Sequence, residues 1–267
     1  NNKIKILHKY RIALTVIVFI FSISIFLLHT PKAYNQIIFL DVQNGDSILI
    51  KSRNKTLLVD TGPSFSTLES VTKYTPIDNV QGIVLTHGHL DHIAGLFKIL
   101  KHNPNIPVFT NLQTKKLLLS KYINLLPKDF MATVLKQGDE LRVGDFTAKV
   151  VYPPLDCDSA NLNICSVVLQ VSDLLVNKIL LTGDSELKSQ KEYLNLLEGA
   201  YGVVKVPHQG SKDSFYTDFY FKTSPQVSVL SIGNNNYGHP DSKLVYFLSS
   251  IGIYLSTQEN KDIVIKY

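Results

Sequence analysis

Hydrophobic residues along the chain fall into short runs that glycine, proline and polar residues separate. The runs typical of β-strands are 36–42, 47–50, 55–60, 82–85, 108–110, 132–135, 140–143, 146–152, 166–171, 178–182, 203–206 and 227–232. Apolar spacing predicts helices at 93–101, 114–123 and 185–198. Strands that alternate with helices in this way predict an α/β domain.

Polar residues able to bind a ligand follow four of these predicted strands. They are His87-Gly88-His89-Leu90-Asp91-His92 after 82–85, Gly183-Asp184 after 178–182, Pro207-His208 after 203–206, and Gly238-His239 after 227–232. Because rigid strand ends are where α/β proteins assemble their sites, this recurrence predicts that the four segments converge.

The segment from His87 to His92 carries three imidazoles and one carboxylate within six residues. These are nitrogen and oxygen ligands that zinc, manganese and iron accept, so their spacing favours a metal site over packed or solvated histidines. Asp60 ends another predicted strand, in Asp60-Thr61-Gly62. Its carboxylate either fixes the ring of a ligating imidazole or forms a turn, and the sequence leaves both open.

The N-terminal part differs from the rest, because residues 12–28 contain no charge. Such a run is long enough to cross a bilayer and lacks a convincing cleavage site after it, which favours a transmembrane helix over a signal peptide. Basic residues crowd before the run and only Lys32 follows closely, so the domain is expected on the extracytoplasmic side. The predicted organisation is a cytoplasmic flank and transmembrane helix at 1–34, followed by one domain at 35–267.

Composition and charge narrow the function only slightly. Hydrophobic residues make up 45% of the 267 residues, as in ordinary globular proteins, and internal repeats are not evident. The formal net charge of +5 favours polyanionic or membrane-surface partners without requiring them. Cys157 and Cys165 are compatible with a disulfide and equally with two buried thiols.

The motifs in this order resemble the metallo-β-lactamase superfamily, and the resemblance extends over about residues 37–266. It implies a four-layer αββα sandwich with metals between the sheets. More narrowly, the chain is similar to the C-terminal domain of ComEC-type proteins, which are the DNA-uptake channels of competent bacteria. The similar segments are 40–42, 45–47, 58–62, 181–184, 206–211 and 237–240. The chain departs from that family at Gln43-Asn44, where Gly-Gln is common, and at Gln209, where a second histidine is common.

The resemblance implies a site with two divalent metal ions, manganese or zinc. The implied ligands are His87 and His89 for the first metal, Asp91, His92 and His239 for the second, and Asp184 as a bridge between them. Asp91 would also belong to the catalytic group. His208 would protonate the leaving group. Asn163 stands where many of these hydrolases have another histidine, and it is expected to contact the substrate. Ser211, Lys212 and Tyr237 are expected either to contact the phosphate or nucleoside or to be ordinary surface residues of loops, and the sequence leaves both open.

The resemblance also implies a function, namely a nuclease that degrades the non-transported DNA strand at the outer face of the bacterial cytoplasmic membrane. Its expected partners are DNA, the membrane, a polytopic channel part and other competence proteins. Two alternatives stay open, a metallo-hydrolase of a small ester, lactone or lactam and a non-catalytic module that guides DNA. The aromatic residues at 215–221 could stack on bases, but aromatic runs are more often packed in a core.

Overall fold

Two seven-stranded β-sheets form the centre of the protein in a computed structural model. The structure describes residues 35–173 and 178–267, together with Thr15, Ile17, Val18, Phe19 and Phe21. Tyr34–Tyr267 form one compact unit.

The first sheet has the strand order β14-β1-β2-β3-β4-β5-β6. Its strands are β1 (Gln36–Phe39), β2 (Ile48–Ser52), β3 (Lys55–Val59), β4 (Val80–Leu85), β5 (Val108–Thr110), β6 (Ala132–Val134) and β14 (Ile263–Lys266). The strands from β14 to β3 pair antiparallel, and those from β3 to β6 pair parallel. The carboxyl ends of β3, β4 and β5 therefore lie at one edge.

The second sheet has the order β13-β12-β11-β10-β9-β8-β7. Its strands are β7 (Glu140–Val143), β8 (Phe146–Tyr152), β9 (Val168–Ser172), β10 (Lys178–Leu181), β11 (Val203–Lys205), β12 (Val227–Leu230) and β13 (Ile253–Ser256). The strands from β10 to β13 pair parallel, so the ends of β10, β11 and β12 also share one edge.

Helices cover the outer face of each sheet. They are α1 (Thr67–Thr72), α2 (Leu90–Ile93), α3 (Leu96–His102), α4 (Leu112–Lys121), α5 (Leu187–Tyr193), α6 (Thr217–Thr223), α7 (Ser242–Ile251) and α8 (Thr257–Asn260). One apolar cluster joins the first sheet to the helices from α1 to α4, and another joins the second sheet to α5, α6 and α7. The described fold is thus the four-layer αββα sandwich that the family resemblance implies.

The core between the sheets arises from alternation along the strands. In β1, Ile37 and Phe39 face the other sheet, whereas Ile38 packs under the helices on the outer face. In β2, Ile50 faces inward and Leu49 outward in the same way. Because both faces of these strands are covered, their sequences are nearly continuous apolar runs.

The helix predicted at 93–101 is in fact two helices, because α2 ends at Ile93 and α3 begins at Leu96. The side chain of Thr61 lies at the break, where its Oγ1 donates to the carbonyl of His92 at 2.9 Å and accepts from the Leu96 amide at 3.0 Å. A Cβ on Gly95 would lie 2.1 Å from the Thr61 carbonyl oxygen. The close approach of another loop, which spacing does not reveal, therefore divides the helix.

Several elements lie outside the runs from which strands and helices are predicted, namely α1, α6, α7, α8, β13 and β14. Within α6, Phe219 and Tyr220 are fully buried in the cluster on the second sheet. These two aromatic residues therefore pack in the core, as expected from the usual behaviour of such runs.

The structure describes only a few residues of the predicted membrane span. Of residues 12–28, these are Thr15, Ile17, Val18, Phe19 and Phe21, all helical, and the rest lie outside the described residues. Within the part of the chain that the structure describes, no helix has both the length and the apolar character that a bilayer crossing requires.

A disulfide joins Cys157 to Cys165, with the two Cα atoms 5.8 Å apart. It closes the segment between β8 and β9, and Cys165 is fully buried. The carbonyl of Cys165 accepts a hydrogen bond from Asn111 Nδ2 at 2.8 Å, which connects this segment to the end of β5. Of the two states that the sequence allows, the structure has the disulfide.

Removing the disulfide should destabilise the protein. Replacing both cysteines in Cys157→Ala/Cys165→Ala releases an eight-residue loop, and chain entropy predicts a loss of about 2 to 3 kcal/mol in the free energy of unfolding. Denaturant unfolding followed by circular dichroism measures this loss. Reductant should lower the unfolding midpoint of the wild type and leave that of the double variant unchanged. An equal midpoint for both proteins under oxidising conditions would contradict the expectation.

Candidate metal centre

The predicted site residues meet at the edge where the parallel strands of both sheets end. Asp60 follows β3 and His87 to His92 follow β4 in the first sheet, whereas Asp184, His208 and His239 follow β10, β11 and β12 in the second. Parallel strands of one sheet deliver their carboxyl ends to the same edge, so the topology explains why residues so distant in sequence converge.

Three fully or almost fully buried side chains, His87, His92 and Asp184, form the floor of the site. Oδ2 of Asp184 lies 3.2 Å from Nε2 of His92 and 3.9 Å from Nε2 of His87. One donor atom from each residue falls within 4.8 Å of the other two, as a shared metal ion requires. His89 continues this group toward the surface, with its Nδ1 3.0 Å from Nε2 of His87.

Asp60 fixes the orientation of His92 from below. Its Oδ2 lies 2.8 Å from His92 Nδ1 and accepts a hydrogen bond of 2.7 Å from the Thr86 hydroxyl. Its Oδ1 accepts from the Thr86 amide at 2.7 Å, so Asp60 holds both ends of the loop that bears the histidines. An Nδ1–H that donates to a carboxylate leaves Nε2 of the same ring as the ligand atom.

Burial and neighbouring charges act differently on the two buried imidazoles. Burial by itself lowers the pKa of His92, but Asp184, Asp91 and Asp60 outweigh burial and raise this pKa well above its ordinary value. Burial would raise the pKa of Asp184, and His92 instead holds it well below the usual range. For His87, burial and the neighbouring His92 lower the pKa. Because a metal ligand must be deprotonated, cation binding competes with the proton on His92.

A cleft of about 460 Å³ opens above this floor. Its lining consists of Asn44, Pro63, His89, Leu90, Asp91, Asp184, His208, Gln209, Tyr237 and His239. Oδ2 of Asp91 lies 3.5 Å from Nε2 of His92 and accepts from Gln209 Nε2 at 2.9 Å. Gln209, at the position of the missing second histidine, therefore holds Asp91.

The loop that carries His239 is shaped by two asparagines. Asn235 Oδ1 accepts from the His239 amide at 3.2 Å, and its Nδ2 donates to the His239 carbonyl at 2.8 Å. Asn44 Nδ2 donates to the carbonyl of Asn234 at 2.8 Å, which pins the loop to the first sheet. The ring of His239 thereby lies 5.5 Å from that of His208, centroid to centroid.

His208 lies in a turn with left-handed backbone, at φ 48°, and its ring reaches into the cleft. Its Nε2 is 4.0 Å from Asp184 Oδ2 and its Nδ1 is 3.5 Å from Glu186 Oε1. Burial lowers the pKa of His208, whereas Glu186 and Asp184 raise it, and the net result is a raised pKa.

Glu186 is a site residue that the sequence patterns did not indicate. It accepts hydrogen bonds of 2.9 Å from Nδ2 of Asn163 and from Nδ2 of Asn161. The neighbouring imidazole of His208 and the hydrogen bonds from these asparagines outweigh burial and lower the pKa of Glu186 to about 2. Its place two residues after Asp184, beyond a strand end, is the one signal that could have indicated it.

The residues predicted to contact substrate fall in different places. Tyr237 lines the cleft and is 77% exposed. Asn163 is buried, and its Nδ2 lies 3.4 Å from Nε2 of His208. Ser211 is buried, and its hydroxyl accepts from the Asp213 amide at 3.3 Å, so it stabilises the turn rather than facing the cleft. Lys212 is exposed and is not among the described residues that line the cleft.

Lys205 is the second residue that the patterns missed. Its side chain is fully buried at the end of β11, where Nζ lies 2.5 Å from Asp46 Oδ2 and 3.3 Å from Asp184 Oδ1. Burial acts to lower the pKa of this lysine, but Asp46 and Asp184 raise it above its ordinary value. A lysine within an apolar strand was the available signal.

The donor set fits divalent cations. Imidazole nitrogens and carboxylate oxygens suit zinc and manganese, and the buried His/Asp groups are able to hold metal ions. Among the buried side-chain atoms of the described residues, Asn163 Oδ1 has no hydrogen-bond partner. A buried polar oxygen of this kind next to the cleft is suited to contact a bound ligand or water.

Comparison with known proteins agrees with this geometry. Residues 40–157 match the model of the metallo-beta-lactamase superfamily. ComE operon protein 3 of Bacillus subtilis (strain 168) is 28% identical over 262 residues, which cover 85% of this chain and 32% of that protein. Exodeoxyribonuclease YycJ of Bacillus anthracis is 33% identical over 103 residues, 38% of either chain.

Among solved structures, the metallo-beta-lactamase fold protein YhfI from Bacillus subtilis superposes with a TM-score of 0.63 at 13% identity, covering 87% of this chain and all of that one. At this identity the likeness establishes the fold alone. The chain spans about a third of the length of ComE operon protein 3. The family-model match over residues 40–157, together with the fold and the convergent histidines and aspartates, confirms the resemblance to the metallo-beta-lactamase superfamily found in the motifs.

Proposed function

We propose that this protein is a metal-dependent nuclease that hydrolyses phosphodiester bonds of DNA. The observation that carries the proposal is the convergence of His87 and His92 on one oxygen of Asp184 at the floor of an open cleft. A buried donor set below an accessible surface can act on a substrate much larger than the cleft. A long polymer such as DNA meets this condition because only one phosphodiester needs to enter.

The proposed roles follow from the contacts at the cleft. The residues that would hold two divalent ions, manganese or zinc, are His87, His89, Asp91, His92, Asp184 and His239. When bound, such ions supply Lewis-acid activation of water and neutralise phosphate charge. Asp60 keeps the ring of His92 in place. His208 donates a proton to the leaving oxygen from Nε2, while Glu186 orients its Nδ1.

DNA as the substrate is supported by the relatives rather than by the donor set. One relative carries the name of a competence operon and another that of an exodeoxyribonuclease. The exposed ring of Tyr237, with its centroid 6.2 Å from that of His239, offers a surface on which a base can stack next to the centre. Degradation of the non-transported strand during DNA uptake is an activity that agrees with the names of both relatives.

We further propose that the domain acts at the outer face of the bacterial cytoplasmic membrane. The uncharged run at 12–28 and the basic residues before it support a tether with this orientation. A polytopic channel part and other competence proteins are the partners that this location implies. The similarity to ComE operon protein 3, which is about three times as long as this chain, supports such an assembly.

Loss of a metal-binding side chain should abolish cleavage. His89→Ala and Asp184→Ala each remove a donor from the centre, so we expect no cutting of DNA by either variant with manganese present. His102→Ala, which removes an exposed histidine at the end of α3, is the matched control and should cut at the wild-type rate. Degradation of a labelled oligonucleotide measures the rate. Undiminished cutting by both site variants would refute the proposal.

Loss of the proton donor should lower turnover without releasing metal. His208→Gln keeps a polar side chain in the turn, and removal of a general acid typically lowers kcat by a factor of about 10² to 10⁴. Single-turnover cleavage together with metal analysis of the same sample tests this. A variant that loses bound metal in parallel with turnover would instead identify His208 as a ligand.

Salt dependence separates DNA hydrolysis from hydrolysis of a small ester, lactone or lactam. Contacts with several phosphates release counterions, so the apparent affinity for DNA should fall steeply between 50 and 200 mM salt, by about tenfold or more. Turnover of a small ester should hardly change over the same range. Efficient ester turnover together with salt-insensitive or absent DNA cleavage would favour the small-molecule hydrolase. Salt-sensitive DNA binding without metal or cleavage would favour the guiding module.

A further inference from the structure

We propose that Lys205 is a positioning residue, which holds one oxygen of Asp184 so that only the other faces the metal centre, and that Asp46 acts on the centre through Lys205. The inference rests on the metal centre of the proposed function but not on DNA as the substrate.

The ammonium group of Lys205 is surrounded by three oxygen atoms of its neighbours. Its Nζ donates to the carbonyl of Gly183 at 2.8 Å and contacts Asp46 Oδ2 at 2.5 Å and Asp184 Oδ1 at 3.3 Å. Two of these three oxygens, the Gly183 carbonyl and Asp184 Oδ1, accept hydrogen bonds from the ammonium group, and Asp46 is its nearest counterion. Since the side chain is also fully buried, it has no access to the cleft. Direct action on a substrate is therefore excluded, and action through its partners remains.

The two carboxylate oxygens of Asp184 have different partners. Oδ1 is bound by Lys205, whereas Oδ2 lies 3.2 Å from His92 Nε2 and 3.9 Å from His87 Nε2. Lys205 also binds the carbonyl of Gly183, the residue immediately before Asp184. It therefore fixes both the backbone and the carboxylate plane at the end of β10. Rotation of the carboxylate would exchange the two oxygens and would require breaking the bond to Lys205.

Asp46 gives Lys205 a counterion from the other sheet. Asp46 lies in the loop between β1 and β2, whereas Lys205 ends β11, so their contact joins the two sheets below the histidines. Asp46 is closer to Nζ than Asp184 is. The lysine charge is therefore balanced mainly by Asp46, which leaves the charge of Asp184 available to a cation. Without Asp46 the full lysine charge would act on Asp184 and oppose metal binding.

A purely structural ion pair between the sheets is the competing explanation. It predicts that loss of Lys205 or Asp46 lowers stability, while the folded variants bind metal as the wild type does. A positioning role predicts weaker metal binding by folded protein. It also predicts that most of the effect of Asp46 disappears once Lys205 is absent, because the Asp46 carboxylate then keeps only its longer contact with His92, 3.8 Å from Oδ2 to Nδ1.

The experiment measures Mn²⁺ binding by the full chain, from the electron paramagnetic resonance signal of free Mn²⁺, without any substrate. The variants are Lys205→Met, Asp46→Asn and the double variant, each confirmed as folded by circular dichroism. We expect Lys205→Met to weaken binding by about 10- to 100-fold, the range for residues that orient metal ligands. Asp46→Asn should weaken binding about tenfold in the wild-type background and less than twofold in the Lys205→Met background. Lys149→Met, which removes an exposed lysine of the same sheet, should bind as the wild type does.

Wild-type Mn²⁺ affinity in folded Lys205→Met would overturn the proposal, and additive losses in the double variant would overturn the role given to Asp46. If Lys205→Met does not fold because Asp46 is left buried and unpaired, the double variant replaces it, and wild-type affinity there is equally decisive. A wild-type protein that binds Mn²⁺ but leaves DNA intact would refute the nuclease alone. A protein that cuts DNA while Lys205→Met binds Mn²⁺ normally would refute only this inference.

Discussion

The meeting of Asp184 with His92 between two apolar sheets is the constraint on which the rest of the structure depends. Both side chains are buried, and each comes from a different sheet. A buried charge is costly unless partners satisfy it, so the position of every neighbouring polar group is restricted. Asp60 satisfies the far side of His92, and Lys205 satisfies the far side of Asp184. The four side chains thus form a continuous chain of charge-assisted contacts across the sandwich.

The scaffold supports this chain of contacts by bringing strand ends together and then tying their loops. Asn111, after β5, donates from Nδ2 to the carbonyls of Thr86 and Cys165, which connects the histidine loop to the disulfide-closed segment. Asn44 likewise donates from Nδ2 to the carbonyl of Asn234, which holds the loop that bears His239. Amide side chains suit this task because one group carries both donors and acceptors. The loops at the site are therefore held by side-chain bonds, as expected where regular pairing has ended.

The hydrophobic pattern predicts most of the strands, because buried parallel strands are apolar without interruption and polar clusters mark their ends, whereas the four layers follow from the family resemblance. The bounds of β5, β7 and β8 agree with the hydrophobic runs. The features that the sequence does not predict depend on tertiary contacts between segments that are distant along the chain. Thr61 divides α2 from α3 through a contact between loops. The short strands β13 and β14 lie at sheet edges, where one-sided burial gives weaker patterns. The motifs predict which side chains would bind metal or transfer protons, but not the residues that hold those side chains in place. Lys205 and Glu186 are identified as such residues by their contacts in the structure.

The site is arranged in two levels, and the division explains why its polar residues differ in exposure. His87, His92 and Asp184 are buried at 0 to 2% exposure, where a low dielectric strengthens each contact and excludes competing water. His208 and Asp91 lie higher, at the wall of the cleft, where a substrate and solvent protons have access. Glu186 and Gln209 hold these two upper residues, as Asp60 and Lys205 hold the lower ones. Metal-assisted hydrolysis requires a buried group of ligands and an accessible place for a proton donor, and the two levels of this site, each with its own supporting side chains, suit these separate requirements.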